Sequence, residues 1–505
     1  MSFQADSRAA QPDRYENWWL RVSGNLGGVY PFYDLDEPDH FSLDIAHIIN
    51  RRKVRGDPVE LDPAAVVCKT GMRYLLGDRT LIRNVRRAPW MARLHDNGTW
   101  EPVELPNHGM ARPEPVEFVP RLIEALLKEA DSYVGHLETV GILLSGGMDS
   151  RVTAGVLRQL QLTAGVPNRV VAITWGREDS RDVIYAGRIV RLFNWEMIHF
   201  PLDANTLTEN IEIAGLAGAE VAPFHLHAMP KVAQLKGIDA IIAGSYGDSV
   251  GRAEFSGRKI TNLKPILPKK IDPFGLLRRS ALRDSLDLLK EDASLSIPFS
   301  GNAYTVRRHE VDQEMHYMRR MLQSCMLHIA KRIPLYQMFT APEVFGLMWD
   351  LDPAVRDNSW YEHLLHQLPG DLLDIPWART GRPYMQSSGK SDGLTKLNHA
   401  YGTWLREDLR ELIVTSVNSD VIRGMGLFND AALGNALKIW EKSTTKSTNS
   451  LDEFMSWLAS LHVFISKHEI TVKAAPKNLI QNCLAGINGR FYAEAYIRAR
   501  NIARE

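Results

Sequence analysis

The residues of this chain with the clearest chemistry form a short segment between an apolar run and a helical pattern. After the run at 139–144 come Ser145, Gly146, Gly147, Met148, Asp149 and Ser150. A strand that ends in a glycine loop at a helix N-terminus suits anions, because unpaired backbone amides and the positive end of the helix dipole face the ligand. The two glycines permit close backbone approach, and the serine hydroxyls add donors. Asp149 is a suitable ligand for the Mg²⁺ that accompanies a polyphosphate.

The residue types in this loop separate it from other phosphate-binding loops. No Gly-Lys-Ser/Thr follows, so it is not a Walker loop. Ser-Gly-Gly-x-Asp-Ser is instead typical of the pyrophosphate loop of enzymes that cleave ATP between the α- and β-phosphates. The alternative is an ordinary strand-to-helix turn, but such a turn requires one glycine and none of the accompanying Ser and Asp residues. The sequence therefore predicts adenylating chemistry, with ATP and Mg²⁺ as cofactors.

The elements that must position this loop follow the pattern of an α/β nucleotide domain. Strands are predicted at 139–144, 169–175, 196–202 and 238–243, and helices at 182–192 and 228–235. Ligands of open α/β sheets lie beyond the carboxyl ends of the strands, so the loops there face one cleft. The loop after the fourth strand contains Gly244, Ser245, Tyr246, Gly247, Asp248 and Ser249. We predict that Asp248 is a second acidic group on Mg²⁺-pyrophosphate; the alternative for this loop is a plain surface turn.

Together these motifs resemble the synthetase domain of the asparagine synthetase family, over residues 60–400. That family includes glutamine-dependent asparagine synthetases, β-lactam synthetases, lasso-peptide cyclases and amidotransferases of polysaccharide pathways. The loop at 144–150 carries most of the resemblance. Weaker similarities lie at 182–186, 243–248, 332–335, 341–344 and 368–382.

The resemblance implies a fold and a set of nucleotide-binding residues. The fold is α/β: a parallel-sheet PP-loop domain of adenine nucleotide alpha hydrolase type with extra C-terminal helices, preceded by a small truncated glutaminase-like α+β domain. The implied boundaries are 1–115, 116–430 and 431–505. The residues implied to bind ATP are Leu143, Leu144, Ser145, Gly146, Gly147, Asp149, Ser150, Ile173, Thr174, Gly244 and Gly247. The resemblance places Mg²⁺ on Asp149 and Asp248.

The catalytic positions depart from the family pattern. Ser245 stands where many asparagine synthetases have Glu, and the adjacent Tyr246 is similar to a Tyr of β-lactam synthetases. The family's late lysine is absent from its best-matching position, where Arg379 is the nearest candidate and Arg382 the second. We predict these four residues as catalytic. Two lysines that are alternatives to the arginines belong to a segment interpreted as a solvated mobile loop: Lys390 and Lys396. No general base for the amine is identified.

The N-terminal region predicts a domain without glutaminase activity. Residues 60–105 resemble the segment that closes the family's glutaminase domain, but the chain begins Met1-Ser2-Phe3 where a Cys is needed after Met1. The part before residue 60 is also too short for a complete amide-hydrolysing domain. We therefore expect nitrogen to come from free ammonia, from an amine on the substrate, or from a separate protein.

Composition narrows the class of protein. The 505 residues contain 60 Lys and Arg against 60 Asp and Glu, which gives no indication of nucleic-acid binding. Three widely spaced cysteines fit a reducing cytoplasm better than a disulfide scaffold or a metal cluster. No signal peptide or membrane span is expected. The stretch from Arg252 to Lys270 is basic, which predicts either a solvated excursion or a lid for an anionic substrate.

These observations and the resemblance predict an ATP-dependent, AMP- and pyrophosphate-forming amide ligase or amidotransferase. The expected partners are a small-molecule, carrier-bound or peptide-bound carboxylic acid and ammonia or an amine, without nucleic acid or membrane. The oligomeric state is left open between monomer and homodimer. One alternative is a ring-closing amide synthetase of β-lactam synthetase or lasso cyclase type. Another is a nucleotide-binding pseudoenzyme. A tRNA-modifying enzyme with the same loop is disfavoured because Cys-x-x-Cys is missing.

Overall fold

The computed structural model describes residues 26–95, 99–252, 263, 265–386, 388–444, 448–473 and 479–502. The described strands are β1 (Phe32–Asp34), β2 (Glu37–Ser42), β3 (Val85–Arg87), β4 (Ala92–Leu94), β5 (Trp100–Pro102), β6 (Thr139–Leu143), β7 (Arg169–Trp175), β8 (Glu196–Phe200), β9 (Ala240–Ala243) and β10 (Leu335–Gln337). Strands β1 to β3 form a small antiparallel sheet, and β4 pairs with β5. The other five strands form the parallel sheet that carries the site.

Helices make up most of the remaining described chain. The α-helices are α1 (Ile45–Arg55), α2 (Pro63–Met72), α3 (Pro115–Val134), α4 (Met148–Ala164), α5 (Arg181–Phe193), α6 (Ala204–Leu216), α7 (Met229–Val232), α8 (Arg279–Ser294), α9 (Ile297–Ser300), α10 (Val306–Asp312), α11 (Ser324–Ala330), α12 (Pro342–Asp350), α13 (Asn358–Gln367), α14 (Tyr401–Arg406), α15 (Arg410–Asn418), α16 (Asp420–Gly424), α17 (Asp430–Glu441), α18 (Ser450–His468) and α19 (Leu479–Ile502). Short 3₁₀ turns cover Pro223–Leu226 and Leu372–Asp374, and π-helical turns cover Gly247–Gly251 and Gln313–Gln323. Among the described helices, none combines the length and the apolar character needed to cross a bilayer.

The strand order of the parallel sheet explains where its ligand crevice lies. The order is β10-β9-β6-β7-β8, with Leu143 at the end of β6 paired to Ile173 on β7 and to Ala243 on β9. The chain adds β7 and β8 on one side of β6, then β9 and β10 on the other. The connection therefore changes direction between β6 and β9, which is the point where sheets of this kind bind ligands. This topology confirms the predicted parallel-sheet α/β class.

Both faces of the sheet are covered, which accounts for its nearly continuous apolar strands. Val140 and Ile142 of β6 lie in one core cluster with side chains of α3, α4 and α13. Leu143 of β6 and Ile241 of β9 lie in a second cluster, with side chains of α7 and α11. The alternation along each strand thus fixes which side chains face each layer of helices. The sequence pattern did not predict β10, because its three residues are too few to show a period.

A third core cluster joins parts of the chain that the predicted boundaries separate. It contains Ile45 and Val66 from the N-terminal part, Leu207 from the middle, and Trp440 and Trp457 from the C-terminal part. All five side chains are buried. The N-terminal segment therefore shares its hydrophobic core with the C-terminal helices, and the three-part division of the chain stays a prediction.

One buried arginine ties the loop after β6 to a distant segment. Arg151, in the first turn of α4, is fully buried. Its guanidinium donates hydrogen bonds to four carbonyls, those of Gly146 (3.0 Å), Leu372 (3.0 Å), Ile375 (2.5 Å) and Pro376 (2.5 Å). Burial lowers the pKa of Arg151 to about 10, so the group stays protonated at neutral pH. The side chain holds the loop and the segment at 372–376 in one arrangement.

Replacing this arginine should destabilise the fold strongly. In Arg151→Met the four carbonyls lose their donor, and we expect the free energy of unfolding to fall by roughly 3 kcal/mol or more. Urea unfolding followed by circular dichroism measures the change. The matched control is Arg158→Met on the same helix, where a half-buried arginine contacts the Gln161 side chain and we expect a change below about 1 kcal/mol. Equal losses in the two variants would contradict the structural role of Arg151.

Candidate functional site

The loops after β6 and β9 meet so closely that two glycines are required. A Cβ on Gly244 would lie 2.6 Å from the carbonyl oxygen of Asp149, and a Cβ on Gly247 would lie 2.5 Å from Asp149 Oδ1. Side-chain carbons do not approach other atoms so closely in folded proteins. This contact brings Asp149 and Asp248 to the same end of the sheet, as the sequence predicted.

The backbone amides of the loop are not free to face an anion in this structure. Ser145 N donates to Ser150 Oγ (3.2 Å), Gly146 N to Asp182 Oδ1 (3.1 Å) and Gly147 N to Ser145 Oγ (3.1 Å). All three amides therefore have acceptors within the protein, and short polar side chains commonly satisfy backbone donors in this local way. Burial raises the pKa of Asp182, although the hydrogen bond from Gly146 favours its charged form.

The first turn of α4 retains the features of an anion site. Gly147 at the N-cap has extended backbone and makes no side-chain capping hydrogen bond. The first amides of any α-helix lack partners within the helix, and the helix dipole places partial positive charge there. Asp149 lies in this first turn and is partly exposed at the cleft.

The two acidic residues predicted to hold Mg²⁺ converge on one guanidinium. Arg252 Nη2 lies 3.2 Å from Asp149 Oδ2 and also contacts Asp248 Oδ1. The Arg252 side chain is 3% exposed, whereas that of Asp248 is 37% exposed. The guanidinium carbon of Arg252 lies 5.0 Å from the ring centre of Tyr361 and 5.7 Å from that of Trp377, within the range of cation–π attraction. The paired oxygens are the donors that Mg²⁺ takes in proteins, so the residues present fit that ion.

The position of Arg252 corrects one expectation about the basic stretch that follows β9. A solvated excursion or lid was expected for this stretch, but Arg252 is buried within the site. Lys269 and Lys270 are exposed. Arg258, Lys259 and Lys264 lie outside the described residues.

The residues predicted to lie against adenine and ribose form a floor beside the loop. Leu143, Leu144, Ile173 and Thr174 are all buried, and Leu144 N donates to the carbonyl of Ile173 (2.9 Å). They mark the carboxyl ends of β6 and β7, where the two strands are paired. Their position next to the loop is compatible with nucleotide binding, which stays a prediction.

The structure does not bring Tyr246 to the cleft. This residue is fully buried, and its hydroxyl donates to the carbonyl of Leu26 (3.1 Å) and accepts from Gln323 Nε2 (3.3 Å). Burial raises the pKa of Tyr246 well above its usual value, so the phenol stays protonated. This location gives no support to the predicted catalytic role. Ser245 beside it is only partly buried, at the end of β9.

The segment with the predicted catalytic arginines lies against the loop after β6. Ala378 N donates to the carbonyl of Gly146 (3.2 Å), which fixes the turn from Trp377 to Arg382 beside that loop. Arg379 is exposed and stacks on Trp377 at 5.3 Å, and Arg382 is partly exposed. Both arginines are thus near the cleft, with their catalytic roles still predictions.

The segment interpreted as a mobile loop is partly fixed by backbone hydrogen bonds. The amide of Arg177 donates to the carbonyl of Asn398 (2.8 Å), and that of Arg181 donates to Thr395 O (2.9 Å). The side chains of Lys390 and Lys396 are nevertheless exposed, as expected.

Comparison with known proteins supports part of the prediction. Residues 124–325 match the family model described as Asparagine synthase, which confirms the predicted resemblance and supports an ATP-using ligase or synthetase. None of the curated proteins matches the sequence. Two solved structures are similar at low scores. The NMN synthetase from Francisella tularensis has 16% identity and a TM-score of 0.20, covering 39% of this chain and 78% of that one. The U34-tRNA thiolase NcsA from Methanococcus maripaludis has 11% identity and a TM-score of 0.25, covering 71% of this chain and 92% of that one.

The contact between the two loops predicts the effect of a single methyl group. Gly247→Ala places a Cβ against the Asp149 carboxylate, so the loops must separate. We expect the free energy of unfolding to fall by about 1–3 kcal/mol. We also expect affinity for ATP to fall at least tenfold, or about 1.4 kcal/mol, because the acidic pair is displaced. Urea unfolding and isothermal titration calorimetry measure the two effects.

Gly434→Ala is the control for this substitution. Among the described residues, nothing apart from the adjacent residues and the backbone of the helix itself lies within 4 Å of a Cβ at Gly434, in the interior of α17. Alanine should stabilise this helix by about 0.5–1 kcal/mol and leave ATP affinity unchanged. Wild-type ATP affinity in Gly247→Ala would show that the loop contact does not support the nucleotide site.

Proposed function

We propose that this protein is an ATP-dependent amide ligase or amidotransferase that forms AMP and pyrophosphate. The observation that carries the proposal is the Ser-Gly-Gly-x-Asp-Ser loop at the uncapped N-terminus of α4, packed against the loop that contains Asp248. This arrangement lies within the residues that match the asparagine synthase family model. Sheet topology, loop position and family match together support an ATP-using ligase or synthetase, and we extend this to adenylating chemistry.

The proposed reaction has two steps. A carboxylate oxygen of the acid substrate forms a bond to the α-phosphorus of ATP, and the bond from that phosphorus to the bridging oxygen of the β-phosphate breaks, which releases pyrophosphate. The nitrogen of ammonia or an amine then attacks the acyl carbon, AMP leaves, and the nitrogen loses a proton. The first-turn amides and the dipole of α4 stabilise the negative charge that develops on the leaving pyrophosphate.

Mg²⁺ bound to Asp149 and Asp248 would supply positive charge for the phosphates. The chain itself contributes the buried side chains at the ends of β6 and β7 and the hydrogen bonds by which Arg151 fixes the loop. We propose that Arg379 and Arg382 bind anionic groups of the substrate or the nucleotide. An arginine does not exchange protons at neutral pH, so we assign these two side chains to charge stabilisation and not to proton transfer.

Two observations bear on the pseudoenzyme alternative. Arg252 contacts both carboxylates, and the amides of Ser145, Gly146 and Gly147 all have acceptors within the protein. A chain in which Arg252 keeps the two carboxylates from a metal ion would hold nucleotide without cleaving it, as a nucleotide-binding pseudoenzyme does. The ring-closing alternative has no such observation in its favour. Tyr246, which is similar to a Tyr of β-lactam synthetases, is buried away from the cleft.

For the cellular setting we propose the cytoplasm, with a carboxylic acid and ammonia or an amine as substrates. Cys68 and Cys325 are free and buried, and cysteines without disulfides suit a reducing compartment. For the oligomeric state, we propose a homodimer as the alternative to a monomer.

Product analysis tests the function directly. The full chain is incubated with Mg-ATP and a panel of carboxylic acids, with and without ammonium, and nucleotides are separated by anion-exchange chromatography. We expect AMP and pyrophosphate in equal amounts with the right acid. Dependence on ammonium supports amide transfer, and product without any added amine supports ring closure. Bound ATP that is never cleaved across the panel would support the pseudoenzyme instead.

A substitution of equal size tests the role of the acidic pair. Asp149→Asn removes one negative charge without changing the volume in contact with Gly247. We expect pyrophosphate release to fall at least about a hundredfold, because a charge that stabilises the leaving group through its metal is lost. The control is Asp287→Asn, an aspartate with an 87% exposed side chain on α8, which should retain wild-type turnover. Full activity in a folded Asp149→Asn protein would remove Asp149 from the mechanism.

A further inference from the structure

Arg252 is bound at the point where the two candidate metal ligands come together. Besides Asp149 and Asp248, its guanidinium contacts Asn358 Oδ1 (3.4 Å), and its own backbone amide donates to the carbonyl of Gly247 (2.9 Å). Tyr361 lies 5.0 Å away and donates its hydroxyl to the same carbonyl (3.0 Å). The guanidinium is therefore held in a buried position by three side-chain oxygens and the ring of Tyr361.

The two carboxylates at this point carry more negative charge than Arg252 neutralises. Two carboxylates held close together repel each other, and this repulsion is strong where water is partly excluded. Arg252 provides one positive charge between them and leaves the group with a net charge of −1. A divalent cation that approached the same oxygens would meet the guanidinium at short distance, and like charges repel. Arg252 and a metal ion therefore compete for the same two carboxylates.

We propose that Arg252 is a resident cation that keeps the Asp149–Asp248 pair closed to Mg²⁺ until the nucleotide phosphates arrive. This inference rests on the proposed function, since it takes the pair as the metal site. Polyphosphate adds negative charge to the cleft, which lowers the cost of a divalent cation and offers the guanidinium another anion. Metal and nucleotide then bind with strong positive coupling, and neither binds well alone. Arg252 acts here as a positioning residue, through the two carboxylates.

The aromatic rings explain how the arginine is retained after it leaves the carboxylates. Tyr361 and Trp377 present their faces to the guanidinium, and cation–π attraction does not require a carboxylate partner. Asn358 offers a neutral oxygen on the same side. A methionine at position 252 would occupy similar volume against these rings but carry no charge, which makes it the informative substitution.

Metal binding without nucleotide tests the proposal. Mn²⁺ is the probe, because it takes the same oxygen ligands as Mg²⁺ and the free ion is measured by electron paramagnetic resonance. We expect weak Mn²⁺ binding to the wild-type chain and at least about tenfold tighter binding to Arg252→Met, within the usual range of such couplings. We also expect ATP to improve Mn²⁺ affinity strongly in the wild type and much less in the variant.

Three further proteins identify the source of the effect. Arg252→Met combined with Asp149→Asn should return Mn²⁺ affinity to the wild-type level, because one ligand is gone. Arg252→Lys keeps a positive charge beside the pair and should stay near the wild type. Arg181→Met removes a buried arginine paired with the single carboxylate of Asp392 (3.2 Å) near the same loop, and should create no Mn²⁺ site.

The outcomes separate this inference from the proposed function. If Arg252→Met is folded by circular dichroism and binds Mn²⁺ no better than the wild type, the resident-cation role is wrong, whatever the enzyme does with ATP. It is also wrong if Arg181→Met gains the same affinity. Tighter Mn²⁺ binding in Arg252→Met supports it even where no acid substrate is turned over, because the measurement needs neither ATP cleavage nor an acid.

Discussion

The contact between the loop after β6 and the loop after β9 is the constraint on which the site depends. The sheet order puts these loops side by side, and the absence of a Cβ at Gly244 and Gly247 lets the second loop lie directly on Asp149. Two carboxylates then share one small space. Negative charges this close need compensation in a partly buried setting, and Arg252 provides it in the described structure. The backbone geometry and the electrostatics of the cleft are thus two consequences of the same packing.

Buried ion pairs connect the N-terminal segment to the rest of the described chain. Glu220, which follows α6, accepts hydrogen bonds from Arg87 on β3 and from Arg320, and all three side chains are buried. Arg79 likewise bridges Asp62 and Asp292. Removing one member of such a buried pair commonly costs about 3–5 kcal/mol. Together with the shared apolar cluster, these bridges make the N-terminal segment part of the body that supports the sheet.

Features encoded in consecutive residues could be predicted from the sequence, and features that depend on distant contacts could not. Strands β6, β7, β8 and β9 and the loops after β6 and β9 were predicted, because each has its own local pattern of apolar residues and glycines. Arg252 bonds a residue 103 positions away and Arg151 one that is 221 positions away, so no local pattern identifies either role. Tyr246 was predicted from its similarity to a Tyr of β-lactam synthetases, but the direction of a single side chain after a strand decides whether it faces the cleft or the core. The sequence marked Arg252 as the first residue of a basic stretch, and such stretches are typical of solvated surfaces.

The hydrogen bonds of the loop amides and the contacts of Arg252 bear on whether the chain is an enzyme or a nucleotide-binding pseudoenzyme. The loop amides and Arg252 are held by side-chain contacts, whereas the backbone of the site is fixed by other contacts, α4 by Arg151 and the turn after β9 by Tyr361. Asp248 is 37% exposed, so a ligand can reach the pair from solvent. A backbone that is fixed independently of the side chains at the site favours phosphate binding, because less order must then be imposed when the ligand binds.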